Sequence, residues 1–141
     1  MLGTNQMKAS VLSFRAAVLF VIVGMIWGIA MGISQDHSTM PAHAHLNLLG
    51  WVSLFLFGTY YHLHPSLNMN RLAKAQVWIW IAATIVLTIG VALVHSGRPA
   101  GDPIAAISSL VVLGDTILFC WMVFRVEPAE RLHARSAAPA E

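Results

Sequence analysis

The sequence predicts an all-α membrane fold: four transmembrane helices in up-down antiparallel order, with N and C termini cytoplasmic. Three observations lead there. Of 141 residues, 57% are hydrophobic and only 10% charged, against about 25% charged in an ordinary soluble domain. Four stretches, 16–35, 44–63, 75–94 and 103–124, each supply the roughly 20 apolar residues that cross a bilayer at about 1.5 Å of helical rise apiece. The links between them are short and polar, and short links join antiparallel neighbours.

The first stretch follows Lys8 and Arg15, as the core of a secretory signal would. It is longer than the roughly 7–15 residues of such a core, and no clear small-x-small cleavage pattern follows it, so it is expected to be a mature helix. For the second, Ser38 or Thr39 can cap the start, Pro41 suits the first turn, and His64-Pro65 stops the far end. Asp102-Pro103 repeats the cap-then-proline signal for the fourth. Residues 1–126 form one transmembrane domain by this reading, and residues 127–141 a short cytoplasmic tail with a frayed end.

Orientation follows from the cations. Lys8, Arg15, Arg71, Lys74, Arg125, Arg131 and Arg135 fall on the side of the N terminus, and Arg98 alone on the other. The positive-inside rule then places both termini in the cytoplasm, in a multi-pass protein of a bacterial inner membrane. The net charge of +2 and the pI of about 9.1 belong to these anchors. The lipid bilayer is the expected surroundings, and nucleic acid is not an expected partner. Cys120 is the sole cysteine, which rules out an intrachain disulfide and reads as helix filler.

Four helices leave little room to enclose a large cofactor, so a homo-oligomer is expected. Gly24, Gly28 and Gly32 recur every four residues on helix one and make a strip on which another helix can approach closely. That helix can belong to the same subunit or to a neighbour.

Chemistry concentrates at Met40-Pro-Ala-His-Ala-His-Leu-Asn-Leu-Leu-Gly-Trp51, at the outer mouth of helix two. Two residues apart on a helix means about 200° of turn, so His43 and His45 serve two environments rather than one small ion. His43 shares its face with Asn47, and His45 lines up with Leu49. Gly50 and Gly58 leave a bare groove nearby, of the kind a flat macrocycle needs, and neutral imidazole is a common axial ligand of haem iron. The plain alternative is a pair of interfacial histidines near the lipid headgroups.

The run His43-Ala-His45-Leu-Asn47-Leu-Leu-Gly50-Trp51, continued by Phe57-Gly58-Thr-Tyr60-Tyr61, resembles the haem-ligating helices of the catalytic subunit of haem-copper oxidases and their nitric oxide reductase relatives. That subunit has twelve helices in three pseudo-symmetric arcs of four, and one helix carries a His-x-His whose imidazoles serve two haems. The resemblance implies that this chain is one arc, that a homotrimer supplies twelve helices, and that the cofactor is haem b. By position His45 resembles the low-spin haem ligand, with Asn47 two residues on, and His43 the other member of the pair. In a ring, His45 of one subunit would face His43 of the next across the haem. The family's copper centre needs an adjacent His-His pair, which this chain lacks, so copper ranks behind haem and no complete copper site is visible. His95, at the outer end of helix three, can add one metal ligand at most, and a hydrated loop histidine is the simpler reading.

Asp115 lies twelve residues inside helix four, about 18 Å along it, and an intramembrane carboxylate is by default a functional candidate. Two readings stand: a neutral acid bonded to Thr84, Thr88 or a backbone carbonyl, and a proton relay. Tyr60, Tyr61, His62 and His64 read as an interfacial belt. The function expected is a b-type haem protein for electron transfer or for nitric oxide or oxygen chemistry, with an unidentified redox partner. Whether it is an oxidoreductase in its own right stays open. The competing classes are a noncatalytic subunit or assembly factor of a respiratory complex, and a small metal-ion or drug transporter.

Overall fold

The computed structural model describes residues 7–136, with side chains described for 7–125. Among these residues every regular element is helical. Helix α1 spans Ala9–Ser34, α2 Met40–His45, a π-helical stretch π1 Leu46–Ser53, α3 Leu54–Leu63, α4 Pro65–Asn68, α5 Arg71–His95 and α6 Gly101–Ser136. Helical dihedrals at His45, Ser53 and Leu54 carry the chain through α2, π1 and α3 without a break. Three helices are single spans long and apolar enough to cross a membrane: α1, α5 and the portion Gly101–Arg125 of α6. This is a multi-pass membrane protein.

The helices start earlier than their apolar cores do. Lys8 precedes α1 by one residue and Arg71 opens α5, because a helix continues into polar residues wherever its backbone groups find partners. Asn68 supplies one from a distance: its Oδ1 accepts the Ser10 backbone N–H at 3.0 Å, in the first turn of α1. Asn70 caps α5 by accepting from the Leu72 N–H at 2.8 Å. Thr39 occupies the cap position of α2 with Pro41 in the first turn, as the sequence suggests, but its hydroxyl makes no cap bond. It accepts the Trp27 indole N–H instead, at 3.2 Å. At the far end His64-Pro65 does end α3, and the chain turns through the short α4. Helix α6 runs on through Ser136, past the boundary expected at 126, so residues 127–136 are helix rather than frayed tail; residues 137–141 of that tail lie outside the described residues.

Helix α5 is the centre of the assembly. It packs along α6, against α2 and π1, and against α1. Of its apolar window 44% is buried, against 22% for α1 and 17% for α6, whose remaining faces carry exposed leucines, isoleucines and valines fit for lipid. Contact with α6 is close at the backbone: a Cβ on Gly90 would stand 2.7 Å from the Ala105 nitrogen, and one on Gly101 would strike the Val94 nitrogen. Close packing of this kind holds membrane helices together, since lipid is as apolar as leucine and offers little hydrophobic drive.

The glycine strip of α1 packs within the chain. A Cβ on Gly24 would stand 2.8 Å from Asn47 Cγ, and one on Gly28 would stand 3.2 Å from His43 Cε1, whereas Gly32 has open space. The reverse side of the same contact fills the expected groove of helix two. Phe20 lies against Gly50 and Phe14 against Gly58, each within 2.9 Å of an added Cβ. Those two glycines seat aromatic rings of α1, and in one chain no space remains there for a macrocycle.

Candidate functional site

Two polar loci stand at opposite ends of the helix formed by α2, π1 and α3. The first is at the α2 end. His45 Nδ1 lies 2.7 Å from the Pro41 carbonyl oxygen. A carbonyl only accepts, so Nδ1 carries a proton, and in the neutral imidazole Nε2 then keeps its lone pair, as in metal-ligating imidazoles oriented by a backbone oxygen. His43 is held differently. Its ring edge faces Gly28, the Asn47 amide lies 3.3 Å from both ring nitrogens, and that amide also donates to the His43 carbonyl at 2.9 Å. Trp27 meets the same ring edge-on at 6.4 Å between centroids. Met25, Gly28, Ile29, His43 and Asn47 line an open cleft of about 400 Å³, within the range of about 300–1,000 Å³ usual for small-molecule sites.

The structure thus brings His43 and Asn47 together, turns His45 to the Pro41 carbonyl, and puts Gly50 and Gly58 under α1. His95, exposed at the end of α5, repeats the His45 arrangement, with Nδ1 2.9 Å from the Val91 carbonyl oxygen. Among the described residues no three His, Cys, Asp or Glu side chains converge on one point, so His43, His45 and His95 do not form a single metal cluster within one chain.

Between the loci, π1 widens the helix. π turns inside longer helices concentrate at functional sites and need a local cause. Here the Leu49 carbonyl accepts the Trp80 indole N–H at 2.9 Å, tying π1 to α5, and the Ser53 hydroxyl donates five residues back to the Leu48 carbonyl. Glycine at position 50 and the partner on α5 both assist the widening; the sequence carries no separate mark of it.

The second locus was not expected as a unit. Tyr61 is fully buried, not part of an interfacial belt, and its hydroxyl donates to Gln76 Oε1 at 2.8 Å. Gln76, also fully buried, donates through Nε2 to Asp115 Oδ2 at 2.6 Å. The partner of Asp115 is therefore neither Thr84 nor Thr88, whose buried hydroxyls find no partner among the described residues. The reason is register: Gln76 is about 8 Å into α5, so Asp115 lies toward the Leu63–Arg71 end rather than midway. The available signal was Gln76 itself, the one amide inside an otherwise apolar span. Of the other residues expected in that belt, His62 is exposed and His64 stacks on Tyr60 at 4.0 Å.

No family model matches the chain. No solved structure matches it either. Among curated proteins, cytochrome c oxidase subunit 1 of Thermus thermophilus is 30% identical over a 95-residue alignment that takes in 55% of this chain and 87% of the relative. With that identity, with most of the relative covered, and with membrane-spanning helices on either side of a His-x-His helix, the chain belongs to the haem-copper oxidase family.

Proposed function

We propose that the chain binds a b-type haem at the outer end of helix two and carries electrons. The observation that supports it is the His45 tautomer: the Pro41 carbonyl holds the Nδ1 proton, and Nε2 is free to ligate. Bound there, haem supplies a one-electron iron couple. The chain's own residues do the rest. His45 would supply the ligating nitrogen, and the Pro41 carbonyl would fix the imidazole and raise its basicity; the cleft beside Gly28 lies on the His43 side of the helix.

One chain provides a donor but no enclosure, because α1 rings cover the glycines of helix two. A homo-oligomer closes the site, and a trimer fits the twelve-helix plan that the resemblance implies. His43 of a neighbour would then be the second residue to hold the haem, with the Asn47 amide moved off its ring. In this reading the stretch Met40–His45 through Leu54–Leu63 is the fourth crossing, both termini are cytoplasmic, and the membrane is the bacterial inner membrane.

The test is a visible spectrum of the purified protein and its variants. His45→Ala is expected to lose the Soret band, and His43→Ala to keep haem with an altered coordination signature. A His45→Ala variant with full haem overturns the assignment. Reduced protein that binds carbon monoxide stoichiometrically and fast has an open axial position, which replaces electron transfer by gas chemistry.

A further inference from the structure

The Tyr61–Gln76–Asp115 chain has no part in the haem reading, and its last atom is open. Asp115 is 4% exposed, its Oδ2 takes the Gln76 amide, and its Oδ1 has no partner among the described residues. Gln76 is held at both ends: its Oε1 accepts from the Tyr61 phenol and its Nε2 donates to the Asp115 carboxyl. A bare carboxylate beside one neutral amide is a costly species away from water. The groups that face it do not relieve the charge. From α3 comes the phenol of Tyr61, with Tyr60 behind it; from α5 comes neutral Gln76, with Lys74 two residues back and so about 200° round the helix. Arg15, the charged residue of α1, is exposed, as are Asp102 and Cys120 of α6.

We propose that Asp115 is a proton-binding site within the membrane part of the fold, with Oδ1 as the atom that takes and releases the proton and Gln76 as its positioning residue. Uptake joins one proton from water to the carboxylate and makes an O–H bond at Oδ1; release breaks that bond alone. Gln76 does not feed the site. An amide N–H does not ionise, so Tyr61 orients Gln76 and passes no proton through it. The site stores a proton and is not a wire. A metal cation is the weaker occupant, since hard cations take about 6–8 oxygen ligands, and here one carboxylate oxygen is free.

The test is infrared difference spectroscopy of the purified full chain in detergent, stepped in pH, with and without carboxyl-labelled aspartate. Asp36 and Asp102 are exposed, so the water-free carbonyl band of a protonated acid singles out the buried aspartate. The expected result is such a band, moved by the label, titrating away as pH rises, lost in Asp115→Asn, and shifted in both frequency and midpoint by Gln76→Leu. Tyr61→Phe is expected to retain the band and its titration. An aspartate band of constant intensity at every pH where helicity is retained overturns the proposal and makes Asp115 a permanently neutral packing acid. Absence of any protonated band, or loss of titration in Tyr61→Phe, overturns it too. Should Asp115→Asn fail to fold, the label and Gln76→Leu still decide.

Discussion

Alanine placed in turn at Gly24, Gly28 and Gly32 reads the contact that positions His43. All three substitutions share the same helix-propensity gain, about 1 kcal/mol from glycine to alanine, so their differences report packing alone. At Gly32 nothing lies within 4 Å of the new methyl, and the full gain of about 0.5–1 kcal/mol is expected. At Gly28 the methyl meets His43 Cε1 at 3.2 Å; the ring must give by a few tenths of an ångström, and most of the gain is cancelled. At Gly24 the methyl stands 2.8 Å from Asn47 Cγ, closer than carbon atoms come. Asn47 must turn away, and its 2.9 Å bond to the His43 carbonyl goes with it. A buried group left without its partner costs about 1–3 kcal/mol, although side-chain hydrogen bonds in membranes average nearer 0.6 kcal/mol. Gly24→Ala is therefore expected to be less stable than Gly32→Ala by about 1–2 kcal/mol. Thermal or denaturant unfolding in detergent, followed by tryptophan fluorescence and circular dichroism, measures the difference. Equal stability of Gly24→Ala and Gly32→Ala would refute the close approach of α1 to the His43 face.

Further outcomes follow from the same contacts. Trp80→Phe removes the indole N–H from the Leu49 carbonyl and should cost about 1–3 kcal/mol; no loss in an unfolding titration would show that π1 does not lean on α5. Native mass spectrometry in detergent should show a homo-oligomer, with the trimer as the expected species. Full haem occupancy in a monomer would move the second axial ligand inside one chain, where His95, with its Nδ1 also given to a carbonyl, is the first residue to replace.

Much of the fold was legible because membranes impose length and apolarity on any helix that crosses them, and prolines 41, 65 and 103 mark ends and starts. The separation of His43 from His45 was legible too, from two residues of helical turn, and the structure gives the two rings different partners. What escaped was everything set by cross-helix register. The glycines at 50 and 58 leave a groove on helix two taken by itself, yet Phe20 and Phe14 of α1 fill it. Tyr61 sits at the end of a span, where an aromatic belt is the usual occupant, but α5 and α6 bring Gln76 and Asp115 to it. Spacing along one helix cannot show which side chain of another lies opposite.

The π turns hold the two polar loci in register. A wide turn holds more residues than an α turn, so π1 takes up one residue that α spacing has no place for. Deleting one residue from it removes about 100° of turn, and the return to α spacing over the rest restores about as much, so α3 keeps its rotation against α2. Leu48 is the residue to remove, since its side chain is exposed and its loss leaves no cavity. His43 and Asn47 can then keep Gly28 and Gly24 while Tyr61 and Gly58 keep Gln76 and Phe14. The expected cost is confined to the bond between the Leu49 carbonyl and Trp80, about 1–3 kcal/mol. Tyrosine-selective Raman, which reports whether the phenol donates a hydrogen bond, together with unfolding in detergent, checks this. A deletion variant whose phenol has left Gln76 would mean that π1 sets a register between the two ends that α spacing does not reproduce.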